Sequence, residues 1–160
     1  MFGVQKQDKN VTEKRTQYVG GSDVPVILGL SKYKTQFELA KEKAGIVMPE
    51  QISNPYINFG NKMEPAIREY INTMNSLNFH PETFIDKDDY IRSNVDGIDN
   101  ENEILLEIKT HGTKPTVAVY EAQMQLYFHQ TGCDYGWLAM YQRPTDFDLE
   151  FDSSLLKIKE

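Results

Sequence analysis

Glu107 and Lys109 lie two residues apart in the segment Glu103-Ile104-Leu105-Leu106-Glu107-Ile108-Lys109-Thr110. In an extended strand alternate side chains share a face. Glu107 and Lys109 would then stand about 7 Å apart on one side, with Ile104, Leu106 and Ile108 on the other. An acid and an amine on so apolar a strand are costly unless they pair or bind something. Asp96, followed at once by Gly97, closes the preceding strand-like segment Tyr90-Ile91-Arg92-Ser93-Asn94-Val95-Asp96. A hairpin of the two segments would bring Asp96 against Glu107 across the ladder. Two carboxylates held together repel unless a proton or a cation intervenes, and oxygen-rich sites of this kind suit Mg²⁺ or Mn²⁺. A third carboxylate, Glu64, has Ile67 and Ile71 as its i+3 and i+7 partners, which puts it on or beside a buried helical stripe. Glu64, Asp96 and Glu107 are therefore expected to clamp one or two divalent cations with Lys109 beside them. That is chemistry for hydrolysing phosphodiesters: the cation activates water and stabilises charge on phosphate, and the ammonium helps hold either. Each part also has a plainer reading. Glu-x-Lys serves as a surface salt bridge in many strands, Asp96-Gly97 as a turn, and Glu64 as a carboxylate near a helix N-terminus.

The elements that must position these residues read as follows. Gly20-Gly21-Ser22-Asp23 is a turn handing over to a short helix from Val24 to Leu28, with Ser22 as N-cap and Pro25 in the first turn. A second helix is expected over 35–44, with Phe37, Leu39 and Ala40 as its apolar contributors and Gly45 at its end. Residues 46–56, with Pro49 and Pro55, read as a loop. The strongest helical pattern comes next: Met63, Ala66, Ile67, Tyr70, Ile71 and Met74 recur at spacings of three and four, predicting a helix over 60–76. Strands are expected at 83–86, 90–96 and 103–110, with a turn at 97–101. A helix over about 116–130 ends at Gly132, followed by a strand at 135–142 and an edge strand at 147–151. This order implies a single α/β domain over 1–160, a mixed central sheet flanked by helices, with 1–14 polar and expected to be flexible.

Composition constrains the reading less. The 160 residues carry a net charge of −7, divided as +3 over residues 1–45 and −10 over 46–160. An acidic chain is a poor match for DNA phosphates, unless its carboxylates await divalent cations. With one cysteine, Cys133, the chain has no internal disulfide and no cysteine-rich metal site; Cys133 reads as a small buried residue. No apolar run approaches the roughly 20 residues needed to cross a bilayer and the first residues lack a secretory pattern, so a cytoplasmic protein that does not engage membranes is expected.

Four patches, in order, resemble the lambda exonuclease/YqaJ-like viral recombinase family of the PD-(D/E)XK nuclease superfamily. They are Gly20-Gly21-Ser22-Asp23-Val24-Pro25 with Leu28-Gly29-Leu30-Ser31; Gly60-Asn61-Lys62-Met63-Glu64-Pro65; Asn94-Val95-Asp96-Gly97 with Leu106-Glu107-Ile108-Lys109; and Tyr120-Glu121-Ala122-Gln123-Met124-Gln125-Leu126 with Thr131-Gly132. The resemblance covers about residues 15–142. It implies a restriction-endonuclease-like (PD-(D/E)XK) core, and Asp96 and Glu107 as principal metal ligands with the backbone carbonyl of Ile108. It further implies Glu64 at the metal directly or through water, Lys109 as the catalytic lysine, and Gln125 or Gln123 positioning water or phosphate. Gln123 also begins a Gln-x-x-x-Tyr pattern with Tyr127, as in RecB-like nucleases. Arg15 and Ser22 resemble contacts to a 5′-phosphate. Where the family often has Ser-Pro-Asp this chain has Asn94-Val95-Asp96, leaving Asn94 to supply a phosphate hydrogen bond. The implied activity is Mg²⁺-dependent 5′→3′ digestion of double-stranded DNA ends in phage-type recombination. A single-strand annealing protein or recombinase is the implied partner, and a homo-oligomer the implied assembly.

Two further readings compete: a structure-specific endonuclease on the same fold, and a catalytically silent binding module that keeps it. Among the other residues, His80, His111 and His129 read as surface or structural histidines, with His111 nearest the Glu-x-Lys strand. Tyr33 and Lys34 read equally as DNA contacts and as ordinary surface.

Overall fold

Alternating apolar residues and turn signals build a five-stranded sheet in the order β1 (His80–Asp86), β2 (Ile91–Asp99), β3 (Ile104–His111), β4 (Tyr135–Gln142) and β5 (Leu156–Lys159). The computed structural model describes residues 16–49 and 53–160; the flexible reading of 1–14 and the placement of Arg15 lie outside them. Neighbouring strands are antiparallel except β3 and β4, which run parallel from Ile104↔Tyr135 to His111↔Gln142. A parallel pair needs a crossover, and helix α4 (Val117–Thr131) supplies it, ending at Gly132 in the left-handed conformation with φ 76°. The sheet is therefore mixed, as expected.

Both faces of β3 are covered. On one side Leu106 and Ile108 pack with Phe59, Met63, Ile67 and Ile71 of helix α3 (Pro55–Asn75), together with Phe79, Ala139 and Tyr141. Each such side chain contributes roughly 1.5–3 kcal/mol by leaving water. On the other side Leu105 packs with Val95, Ile98, Tyr127 and Cys133 beneath α4. A 3-10 turn (Gly21–Asp23) and the short α1 (Val24–Ile27) lie against α4, and α2 (Gln36–Lys43) stands outside them. Thr35 and Glu38 cap α2 reciprocally: the Glu38 amide donates to Thr35 Oγ1 at 3.3 Å and the Thr35 amide to Glu38 Oε2 at 2.8 Å. Such a pairing satisfies two otherwise orphaned donors. From α2, Lys43 ties the entry segment to the turn, with its Nζ 2.6 Å from the Tyr18 carbonyl and 2.6 Å from Asp23.

Several boundaries differ from the sequence reading for identifiable reasons. Helix α3 begins at Pro55, not near residue 60, because Asn54 caps it by accepting the Ile57 amide at 2.9 Å and Pro55 occupies N1. Pro65 is therefore interior to the helix, and the stripe runs Phe59–Met63–Ile67–Ile71, leaving Met74 63% exposed. In α2 only Leu39 is buried; Phe37 and Ala40 face outward. The edge strand is 156–159, not 147–151. Phe147 and Phe151 instead turn their rings onto Phe59, Tyr70 and Tyr141, and Asp146 accepts the Asp148 amide at 2.9 Å in a local turn. Gly97 and Asp99 belong to β2, and the turn comes later, where the Asp99 carboxylate accepts the amides of Glu101 and Asn102.

The β1–β2 register shifts between His80↔Ile98 and Glu82↔Val95, so β2 carries one extra residue at Asp96–Gly97 opposite Pro81. Bulges of this kind bend a strand and re-aim its side chains. Gly97 fits because a Cβ there would lie 3.0 Å from the Cβ atoms of both Leu106 and Phe79.

Candidate active site

The bulge sits where β2 and β3 part. Their ladder pairs Asp99↔Ile104, Ile98↔Leu105 and Gly97↔Leu106 and then stops. One step further, the Asp96 side chain replaces a ladder partner: its Oδ2 accepts the Ile108 amide at 2.8 Å. That interaction fixes the carboxyl beside Glu107, which is 1% exposed. The Lys109 ammonium lies 2.5 Å from Glu107 Oε1, while Glu107 Oε2 is buried with no hydrogen-bond partner. The strand thus puts Glu107 and Lys109 on the face expected, and the hairpin delivers Asp96 to them.

The electrostatics follow from this crowding. Burial, then the Glu107 charge, pushes the Asp96 carboxyl well above its ordinary value, and Glu64 adds to the rise. Burial also raises Glu107, against the pull of Lys109. Burial alone would lower Lys109, but the carboxylates of Glu107 and Asp96 outweigh it and hold the amine at about 12. The Tyr127 phenol is pushed well above its usual range by burial and then by Glu107. Two acids and a cation are thus crowded together, Glu107 buried and Asp96 and Lys109 half-buried beside it. Perturbed groups of this kind concentrate at working sites.

Glu64 is placed differently from the expectation. It lies near enough to act on both carboxyls electrostatically, but its Oε1 is paired at 2.9 Å with Arg68 Nη1, one helical turn on. Among the described residues no three acidic, histidine or cysteine side chains are already gathered as a metal-ligand group. Arg68 also donates to the Asp96 carbonyl at 2.7 Å, a residue that the sequence reading missed. Its signal was the Glu-x-x-x-Arg spacing, which puts Glu64 and Arg68 on one helix face.

Beside the carboxyls opens a cleft lined by Tyr18, Gly20, Gly21, Ser22, Asp23, Arg92, Asn94, Gln123 and Tyr127. Ser22, Asn94 and Gln123 all line it, with Asn94 Oδ1 accepting from Thr83 at 2.8 Å. Gln123 donates to the Tyr127 hydroxyl at 2.5 Å. That ring packs so closely on Gly21 that a Cβ there would lie 2.5 Å from the phenol oxygen. Gln125 is corrected: two residues on, it lies some 200° around the helix, exposed, in a separate groove with Glu121, Phe128, Tyr135 and Lys159. Arg92, in the cleft, was also missed, because an arginine in a strand carries no spacing signal. Ile108 offers its amide to Asp96 while its side chain sits in the α3 core. His111 is buried with Nδ1 2.5 Å from the Gly112 carbonyl. Tyr33 is 98% exposed, and Lys34 pairs with Glu42 at 2.7 Å.

A family model described as the YqaJ-like viral recombinase domain matches residues 12–134. The chain belongs to that family. It is 31% identical over 105 residues to the uncharacterized protein YqaJ of Bacillus subtilis strain 168, a match covering 61% of this chain and 31% of that protein. The chain thus spans about a third of that YqaJ relative's length. Two solved structures share the fold. The alkaline exonuclease LHK-Exo from Laribacter hongkongensis superimposes with a TM-score of 0.68 at 20% identity, covering 91% of this chain and 77% of that one. A phage-related exonuclease from Haemophilus somnus 129PT gives 0.63 at 21% identity, covering 82% and 71%. The YqaJ-like domain here therefore has the PD-(D/E)XK fold of those exonucleases. No helix among its described residues is long and apolar enough to cross a membrane.

Proposed function

We propose that this YqaJ-like domain is a Mg²⁺-dependent deoxyribonuclease that digests double-stranded DNA from its ends in the 5′→3′ direction. The observation that carries the reading is the buried Glu107, with an oxygen that nothing satisfies, held against Asp96 and Lys109. The donor set fits a hard divalent cation. Two acids whose ionisation is opposed by burial gain most from a positive charge between them, and oxygen ligands suit Mg²⁺ or Mn²⁺. Asp96 and Glu107 would hold it, with the Ile108 carbonyl as a further ligand and Glu64 within reach. The cation supplies Lewis acidity at a phosphate and activates water for attack.

The rest falls to side chains already in place. Lys109, kept charged by its carboxylates, orients a water and stabilises the negative charge that grows on the phosphate during in-line attack. Gln123, fixed by Tyr127, directs its amide into the cleft. Ser22, Arg92 and Asn94 line that cleft and offer donors to a terminal phosphate, which would set the duplex end over the carboxyls. The two fold relatives are both exonucleases, one of them also solved in complex with dAMP, and both support the same choice. The 3′-ended strand left behind suits a single-strand annealing protein or recombinase as partner.

The test is digestion of 5′-phosphorylated linear duplex beside closed circular DNA, with and without Mg²⁺, by the wild type and by Glu107→Ala and Lys109→Ala. Mg²⁺-dependent loss of linear duplex only, abolished in both variants, is expected. Digestion without the cation, or undiminished in the variants, overturns the nuclease reading. Cutting of closed circles overturns its exonucleolytic form.

A further inference from the structure

Resting on the proposed cation site, we infer that Arg68 is a positioning residue that holds Glu64 off the Asp96–Glu107 pair while anchoring the Asp96 peptide where β2 leaves β3. Its Nη1 carries two hydrogens, and two acceptors lie within reach of that one nitrogen: Glu64 Oε1 at 2.9 Å and the Asp96 carbonyl at 2.7 Å. Both contacts answer a need created by the splayed strands. Beyond Gly97↔Leu106 the ladder ends, and Arg68 caps the Asp96 carbonyl there, while the Asp96 carboxyl takes up the Ile108 amide. The strands can then separate without stranding main-chain groups, which leaves room between Asp96 and Glu107.

The second contact decides how many carboxylates face a cation. Glu64 Oε1 and the Asp96 carbonyl share one Arg68 nitrogen, at 2.9 and 2.7 Å, which sets the Glu64 carboxylate beside the Asp96 residue, and the Glu64 side chain is about one-third exposed. Released from Arg68, it would have one strongly favourable place to go once a divalent ion occupied the pair. Arg68, with its side chain only 13% exposed, is set in one position, and its guanidinium is charged at every working pH. The latch is therefore permanent in the resting protein and limits the number of acids that grip the ion. A site with three direct carboxylates would bind more tightly but blunt the ion's Lewis acidity toward a phosphate.

The experiment is Mn²⁺ titration by calorimetry and by electron paramagnetic resonance on the wild type, Glu64→Gln, Arg68→Met and the double variant, with thermal unfolding of each. Glu64→Gln should bind Mn²⁺ within tenfold of wild type, Arg68→Met at least tenfold more tightly, and the double variant should lose that gain. A larger than tenfold loss in Glu64→Gln overturns the inference, as does an Arg68→Met variant without the gain or a gain that persists in the double variant. Should Arg68→Met fail to fold, the Glu64→Gln result decides by the same threshold. Wild type that binds no Mn²⁺ overturns the cation site and this inference with it; wild type that binds while Arg68→Met shows no gain overturns this inference alone.

Discussion

The two faces of β3 are built from the same eight residues and obey opposite rules. Toward α3, Leu106 and Ile108 join an apolar cluster in which Ile67 and Ile71 are wholly buried. Toward α4, Leu105 is the apolar contributor, and Glu107 and Lys109 stand beside Asp96 with burial working against both acids. One face contributes stability by excluding water; the other spends some of it to keep charge where water would weaken it. A strand can carry such a pair because its other face is so well packed, which explains why the chemistry sits on a central strand rather than on an edge.

Variants can break this contrast in order of expected effect. Lys109→Ala should reduce cleavage of linear duplex on the order of a thousandfold or more, the scale of losing a preorganised charge at a transition state, with a smaller loss of thermal stability because the buried Glu107 loses its ion-pair partner. Measured rates within tenfold of wild type would remove the working role from that face. Ile67→Ala should do the reverse, costing about 2–5 kcal/mol in denaturant unfolding while the folded fraction keeps its turnover. A cost under about 1 kcal/mol would mean that the α3 face is not the principal core.

Asp96→Asn should stabilise the metal-free protein at neutral pH, by relieving the repulsion between its carboxylate and Glu107, and abolish cleavage. The sign follows from linkage. The folded Asp96 carboxyl titrates above its ordinary 3.8 because of burial and Glu107, so above that value the unfolded chain binds fewer protons than the fold, and stability falls as pH rises toward the folded value. Unfolding of the metal-free wild type from pH 4 upward should show this decline; Asp96→Asn should flatten it, and Mg²⁺ should reverse it by binding the fold. An Asp96→Asn variant less stable than wild type at pH 7 would contradict the charge burden assigned here. The smallest effect separates the two glutamines of α4. Gln123→Ala should slow cleavage about 10–100-fold, the scale of one hydrogen bond to a charged group, and Gln125→Ala should stay within about twofold. Equal effects would undo the assignment of the two helix faces.

What was legible in the sequence is what periodicity and charge can express. The period-two run of β3, the crossover helix closing at Gly132, and the span of β4 all stand where alternation and turn residues put them. The meeting of Asp96, Glu107 and Lys109 followed from one hairpin. What remained hidden depends on contacts across the chain. Whether Gln123 or Gln125 faces the site turns on the rotation of α4, and this helix is apolar on more than one side, with Ala122, Met124 and Tyr127 all buried. Arg68 takes its meaning from a carbonyl exposed only because two strands part. The edge strand was misplaced because Phe147 and Phe151 alternate with acids as strand residues do, yet their rings find better partners on α3 and β4 than a ladder would give.

The extra residue in β2 has a consequence for how this chain can vary. Val95 and Ile98, three positions apart, both pack under α4, which strict alternation forbids. Removing Asp96 would leave Val95 and Ile98 two positions apart, and plain alternation would then keep both under α4; what the extra residue adds is the Asp96 carboxyl itself, delivered to the Ile108 amide. The apolar packing on this side could be built without the bulge; the carboxyl pair could not.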